Sequence, residues 1–120
     1  MEIPTLLDVY RARKVIQQYV PRIDVQYSGG LSELMGCEMY LKREDQLPLG
    51  AFKMRGGLNM LANLPRGERN QGLITASTGN HGQSNANACQ IFGAIAVIVV
   101  PEGANSLKVA AIRSMGAELV

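Results

Sequence analysis

From Gly72 onward the chain reads strand, helix, strand, helix, strand, and this succession restricts the fold more than any other feature. Leu73-Ile74-Thr75-Ala76 is a short apolar strand, and Ser77 to Gly82 is a polar, glycine-containing turn. Gln83 to Phe92 predicts a helix of small residues. Ala94 to Val100 is an unbroken apolar run, the pattern of a strand buried on both faces. Asn105 or Ser106 caps a second helix, with Leu107, Val109, Ala110, Ile112 and Met115 apolar and Gly116 at its C-terminal cap. Ala117 to Val120 begins a further strand. Strands joined by crossover helices run in the same direction, so two βαβ units predict a parallel sheet and an α/β fold.

The first half is less regular. Thr5 and Asp8 form a capping box for a helix in which Leu6, Val9, Tyr10, Ile16 and Val20 recur at helical spacing, stopped by Pro21. Ile23 to Tyr27 predicts a strand, Leu31 to Met35 a short helix ended by Gly36, and Cys37 to Lys42 an alternating strand. A helix is expected from about Phe52 to Leu64. Its Gly56-Gly57 pair costs about 1 kcal/mol per glycine against alanine, which implies that another backbone or a ligand comes close. Leu64 to Gly72 is a polar connection and the expected boundary between two units, 1–66 and 72–120.

Composition removes several function classes. With 47% apolar and 18% charged residues in 120, the chain has enough apolar surface to fold. A net charge of +2, unclustered, is too small a footprint for nucleic acid. The longest apolar run, Gly93 to Pro101, is too short to span a bilayer, and the N-terminus carries no basic-then-apolar signal. Cys37 and Cys89 form no CxxC and are expected as reduced, buried thiols of a cytoplasmic protein. His81 is the single histidine, so no second imidazole completes a zinc site and no metal is expected.

Two segments carry candidate chemistry. In Pro48-Leu49-Gly50-Ala51-Phe52-Lys53, the lysine opens a helix after a tight loop. The positive helix end and burial both favour the neutral amine, the form that attacks a carbonyl, and Phe52 supplies an apolar wall. A solvated surface lysine is the competing reading. In Ser77-Thr78-Gly79-Asn80-His81-Gly82, backbone N–H groups converge at a helix N-terminus, a site suited to a carboxylate or phosphate. An ordinary helix-capping turn is the alternative there. The dinucleotide spacing GxGxxG is absent, and no G-x-S-x-G elbow supplies a serine nucleophile for His81 to activate. Asn105 to Lys108 reads as helix capping, and Lys42-Arg43-Glu44-Asp45 as a solvated ion-pair face.

Together with Tyr40 to Asp45, Leu49 to Gly57, Ala76 to Gln83, Val100 to Asn105 with Lys108, and Met115 to Glu118, these segments have an order and spacing that resemble the N-terminal third of a fold type II (tryptophan synthase beta-like) pyridoxal-phosphate enzyme. The resemblance is greatest to the threonine/serine dehydratase (ammonia-lyase) group, which includes serine racemase. It implies that Lys53 forms the Schiff base with pyridoxal 5'-phosphate, that Phe52 packs near the cofactor, and that Asn80 bonds its ring hydroxyl. It implies that Ser77, Thr78, Gly79, Asn80 and His81 hold the substrate carboxylate. It further implies a lyase that removes water and ammonia from a hydroxy-amino acid, with a racemase or β-replacement synthase of the same fold as the alternative.

On the same resemblance, residues 1–66 belong to the large cofactor-binding domain and 72–120 to the small one. The glycine-rich phosphate loop is expected beyond residue 120, and the complete form is expected to be a homo-oligomer acting on a small amino acid. A non-catalytic piece unable to turn over alone is the reading from another class. Two departures stand out: Ile23-Asp24-Val25 where the family has Thr-Pro-Leu, and Thr78 where racemases place Ser. A piece of such an enzyme is expected to leave apolar surface uncovered.

Overall fold

Each βαβ unit predicted from the pattern is present, in a computed structural model that describes residues 3–77 and 79–120. Strands β3 (Leu73–Ala76), β4 (Ala96–Val99) and β5 (Glu118–Leu119) lie in the order β3-β4-β5, all parallel. Leu73 pairs with Ala96 and Ala76 with Val99, and the crossovers are helices α5 (Asn80–Phe92) and α6 (Ser106–Ser114). The central strand is shorter and less covered than expected: Ala96 and Ile98 are buried, but Val99 and the preceding Ile95 are exposed. Only one of its faces is fully packed here.

The first half builds α1 (Leu6–Ile16), β1 (Val25–Tyr27), α2 (Gly29–Met35), β2 (Tyr40–Lys42), α3 (Met54–Asn63) and α4 (Arg66–Gln71). β1 and β2 form an antiparallel pair with Tyr27 opposite Tyr40, their rings edge to face at 5.5 Å. The Thr5/Asp8 capping box is formed as predicted: Asp8 N–H donates to the Thr5 hydroxyl and Thr5 N–H to the Asp8 carboxylate. Gly36 ends α2 and Gly93 ends α5 in the left-handed conformation that glycine adopts without steric cost.

Several expectations need correction, beginning with the first helix, which ends at Ile16 and not at Pro21. The helix placed at Phe52–Leu64 starts at Met54 and ends at Asn63, with Lys53 as its N-cap. The Leu64–Gly72 connection contains α4, whose Arg69 reaches back to the Ala62 and Leu64 carbonyls. The helix expected from Gln83 begins at Asn80, so half of the polar turn is helical. Cys37 is exposed rather than buried; Cys89 is buried, and burial raises the pKa of its thiol.

The core lies between α3, α5 and the parallel sheet. Met54, Leu58 and Leu61 form the buried stripe of α3, at helical spacing. The facing surface of α5 is built from Gly82, Ser84, Ala86, Ala88 and Cys89, small enough to fit between α3 and the sheet. A Cβ on Gly82 would stand 3.0 Å from Ile98 Cγ2 and 3.2 Å from Ile112 Cδ1. The Gly56-Gly57 pair divides: nothing approaches Gly56, whereas Gly57 lies directly against Ser84. By contrast α1 buries no residue, and Leu6, Leu7, Val9 and Tyr10 remain exposed, as expected of uncovered apolar surface. No described helix is long and apolar enough to cross a membrane.

The charged stretch after β2 is only partly a solvated face. Arg43 and Asp45 pair in solvent at 2.7 Å. Glu44 turns inward and accepts two bonds from Arg55, from Nε at 2.8 Å and Nη2 at 3.1 Å, which ties the loop to the first turn of α3. These bonds hold the Glu44 carboxyl below its ordinary 4.5, against the opposing effect of burial. A depressed carboxylate stabilises the fold above its unfolded pKa and loses that contribution as pH falls through the folded one. Glu44→Gln is therefore expected to cost about 1–2 kcal/mol in urea denaturation at pH 7. The difference from wild type should shrink steadily as pH falls below the ordinary carboxylate value; a difference constant with pH would remove this assignment.

Candidate active site

The site is built where α3 and α5 begin. Lys53 is exposed rather than buried, at the N-cap of α3, with no side-chain capping bond, so its amine takes no part in holding the helix. Its backbone carbonyl is tied to the neighbouring helix: the buried Ser84 hydroxyl of α5 donates to Lys53 O at 2.5 Å. The same helix that carries the polar turn thus anchors the backbone of the lysine, 31 residues away.

The turn continues the β3 ladder by one bond, Ser77 N–H to Val99 O at 3.0 Å. The Ser77 hydroxyl oxygen then accepts from Gly79 N–H at 3.2 Å and Gly82 N–H at 2.8 Å. Gln83 N–H donates to Gly79 O. Two of the four orphan donors at the start of α5 are thereby satisfied, and among the described residues those of Asn80 and His81 have no acceptor. The capping reading holds for the N–H groups of Gly79 and Gly82.

Two side chains of the turn are fixed from elsewhere. Lys108, in the first turn of α6, donates from Nζ to Asn80 Oδ1 at 2.8 Å. His81 Nε2 lies 3.1 Å from Nδ2 of the buried Asn85 one turn on, which fixes the ring against α5. Asn105 caps α6 through Oδ1, accepting from Leu107 and Lys108 N–H, as its sequence position predicted.

An open cleft of about 620 Å³ brings these parts together, lined by Lys53, Ala76, Ser77, His81, Val99, Val100 and Pro101. Of the residues singled out from sequence, Lys53, Ser77 and His81 share it. Asn80 does not line it and is bonded to Lys108, and Gly79 is buried against the Lys108 side chain. Phe52 is 64% exposed and does not line the cleft. Thr78 lies outside the described residues. Sequence reasoning missed Ser84, Asn85 and the bond of Lys108. For Lys108 a signal existed: a cation in the first helical turn opposes the positive helix end and calls for an explanation.

The model of the family described as "Pyridoxal-phosphate dependent enzyme" matches residues 16–120. The chain is 42% identical over 116 residues to an L-threonine ammonia-lyase of Thermotoga maritima, covering 97% of this chain and 29% of that protein. It is 38% identical over 120 residues to an L-threo-3-hydroxyaspartate ammonia-lyase of Saccharomyces cerevisiae, covering all of this chain and 37% of that protein. The solved structure of serine racemase from Dictyostelium discoideum superposes with a TM-score of 0.90 at 38% identity, over 97% of this chain and 38% of that one. The chain thus spans roughly a third of the length of these relatives. Matched by this family's model over residues 16–120 and superposing on a solved relative over nearly its whole length, the chain belongs to the pyridoxal-phosphate dependent enzyme family, in the fold type II architecture.

Proposed function

We propose that this chain carries the lysine and the carboxylate-binding turn of a lyase that removes water and ammonia from a serine- or threonine-like amino acid. The observation that carries the reading is the convergence of Lys53 with Ser77 and His81 on one cleft, in a chain of this family. The residues present fit the cofactor. The cleft offers a primary amine, a hydroxyl and an imidazole against the apolar wall of Val99, Val100 and Pro101, a donor set suited to an aromatic aldehyde. Lys53 would hold the cofactor and Asn80 would meet its ring hydroxyl. When bound, pyridoxal phosphate supplies a carbonyl for amines and a conjugated ring that accepts the electron pair left at the substrate Cα.

The remaining work falls to side chains and backbone. The N–H groups of Asn80 and His81 are aligned to receive the substrate carboxylate at the positive end of α5, with Ser77 adding a hydroxyl beside them. Anchoring the carboxylate turns the Cα–H bond toward Lys53, whose freed amine takes that proton at Nζ. The bond from Ser84 keeps the Lys53 backbone in register with the turn. In this reading residues 1–66 and 72–120 are parts of two domains, one contributing the amine and the other the carboxylate cradle.

The relatives include ammonia-lyases and a serine racemase. Assaying the purified protein with L-threonine, L-serine, D-serine and 3-hydroxyaspartate separates them. Keto acid and ammonia in equal amounts from an L-hydroxy-amino acid are expected. Inversion of serine without keto acid would replace the lyase by the racemase reading.

A further inference from the structure

We propose that Lys108 is a positioning residue of this site: its ammonium fixes the Asn80 amide with the carbonyl toward α6, so that the turn offers its ligand an N–H donor and not an acceptor. The inference rests on the reading of Asn80 as a cofactor contact. Asn80 and Lys108 are 28 residues apart, on helices that leave the ends of successive strands. The orientation of an asparagine amide is ordinarily ambiguous, because its two ends have the same shape. Here chemistry removes the ambiguity. An ammonium has three donors and no acceptor, so only Oδ1 can stand 2.8 Å from Nζ. The NH2 end is then left to meet an anionic oxygen, such as an ionised ring hydroxyl.

Two further observations belong to the same device. The Lys108 stem lies across the turn so closely that a Cβ on Gly79 would come within 2.9 Å of Nζ and 3.2 Å of Cδ, so the glycine makes room for this lysine. The ammonium is also held where electrostatics oppose it. It sits in the first turn of α6 and beside the N-terminus of α5, both positive ends, and among the described residues no carboxylate lies within 4.0 Å of it. A cation kept there without an acidic partner favours an anion entering the turn.

The test uses the protein reconstituted with pyridoxal phosphate and four variants: Lys108→Met, Lys108→Arg, Asn80→Ala and the Lys108→Met/Asn80→Ala double. Lys108→Met, similar in shape but uncharged, is expected to weaken cofactor binding about tenfold in an absorbance titration. Lys108→Arg is expected to restore it. In the Asn80→Ala background, Lys108→Met should cost little more, since the lysine acts through that amide. An equal loss in both backgrounds would overturn the proposal.

A second readout needs no cofactor. The Asn80 side-chain amide signals in a 15N–1H spectrum, identified by their disappearance in Asn80→Ala, should shift in Lys108→Met and return in Lys108→Arg. Unmoved signals would show that the bond is absent and overturn the inference whatever the cofactor does. Shifted signals with no effect of Asn80→Ala on cofactor binding would leave the bond standing and overturn its role, along with the reading of Asn80.

Discussion

Lys53→Ala is expected to abolish covalent attachment of pyridoxal phosphate and to lower turnover by on the order of a thousandfold or more, with little change in stability. The chain has four lysines, and their surroundings differ. Lys14 is in the last turn of α1. Lys42 donates to Ile23 O at 2.7 Å and lies 3.6 Å from Glu44. Lys108 is bonded to Asn80. Lys53 is the one that lines the cleft with Ser77 and His81. Its side chain is exposed and makes no capping bond, so truncation to alanine removes the amine and leaves the fold within about 0.5 kcal/mol of wild type. Measured together, cofactor absorbance, turnover and urea denaturation separate loss of the amine from loss of the fold. Full activity in the variant would assign the chemistry to another residue.

Gly57→Ala is the substitution expected to damage the fold most for the smallest change in volume. Its new methyl group would collide with Ser84 Oγ and stand 2.7 Å from the Ser84 carbonyl oxygen. Neither is the end of a flexible chain: the hydroxyl is held by its bond to Lys53 O, and the carbonyl is helical backbone. Relief requires α3 and α5 to separate, at an expected cost of about 2–3 kcal/mol. Because the contact lies one turn from Lys53, the movement also carries the lysine away from the turn, so turnover should fall together with stability. Ser84→Ala added to Gly57→Ala removes the hydroxyl collision but not the carbonyl one, so it should recover stability only in part. Gly56→Ala, one residue away with nothing within 4 Å, should be neutral or slightly stabilising.

The contrast between Gly56 and Gly57 illustrates what sequence can carry. Two adjacent glycines in a helix announce a close approach, but which of them meets a neighbour depends on where α5 lies. Periodicity located the three parallel strands because each apolar run is bounded by turns. It misplaced the start of α5 because Asn80, His81 and Gly82 have the composition of a loop, and Ser77 supplies the capping oxygen from an unusual distance. The polar turn and Lys53 were both legible as anomalies of local chemistry: donors gathered at a helix start, a lysine at another. Their meeting on one cleft was not, since it is set by the packing of α3 on α5. Ser84 and Asn85 were invisible for the same reason. A serine and an asparagine in a helix read as surface residues until the tertiary fold buries them and gives Ser84 the carbonyl of Lys53 as its partner. Phe52 is the opposite case: an aromatic beside the lysine reads as a wall, and in this chain the residue is 64% exposed.

The most direct measurement is to add pyridoxal phosphate to the protein, reduce with borohydride, digest, and map the labelled peptide by mass spectrometry. With only four lysines in the chain, the assignment is unambiguous. The label is expected on the peptide containing Lys53, and a competing carboxylate-bearing amino acid should diminish it by displacing the amine. A label on Lys14, Lys42 or Lys108 with Lys53 unmodified would contradict the account, because the residue that opens α3 would then not be the one that holds the cofactor.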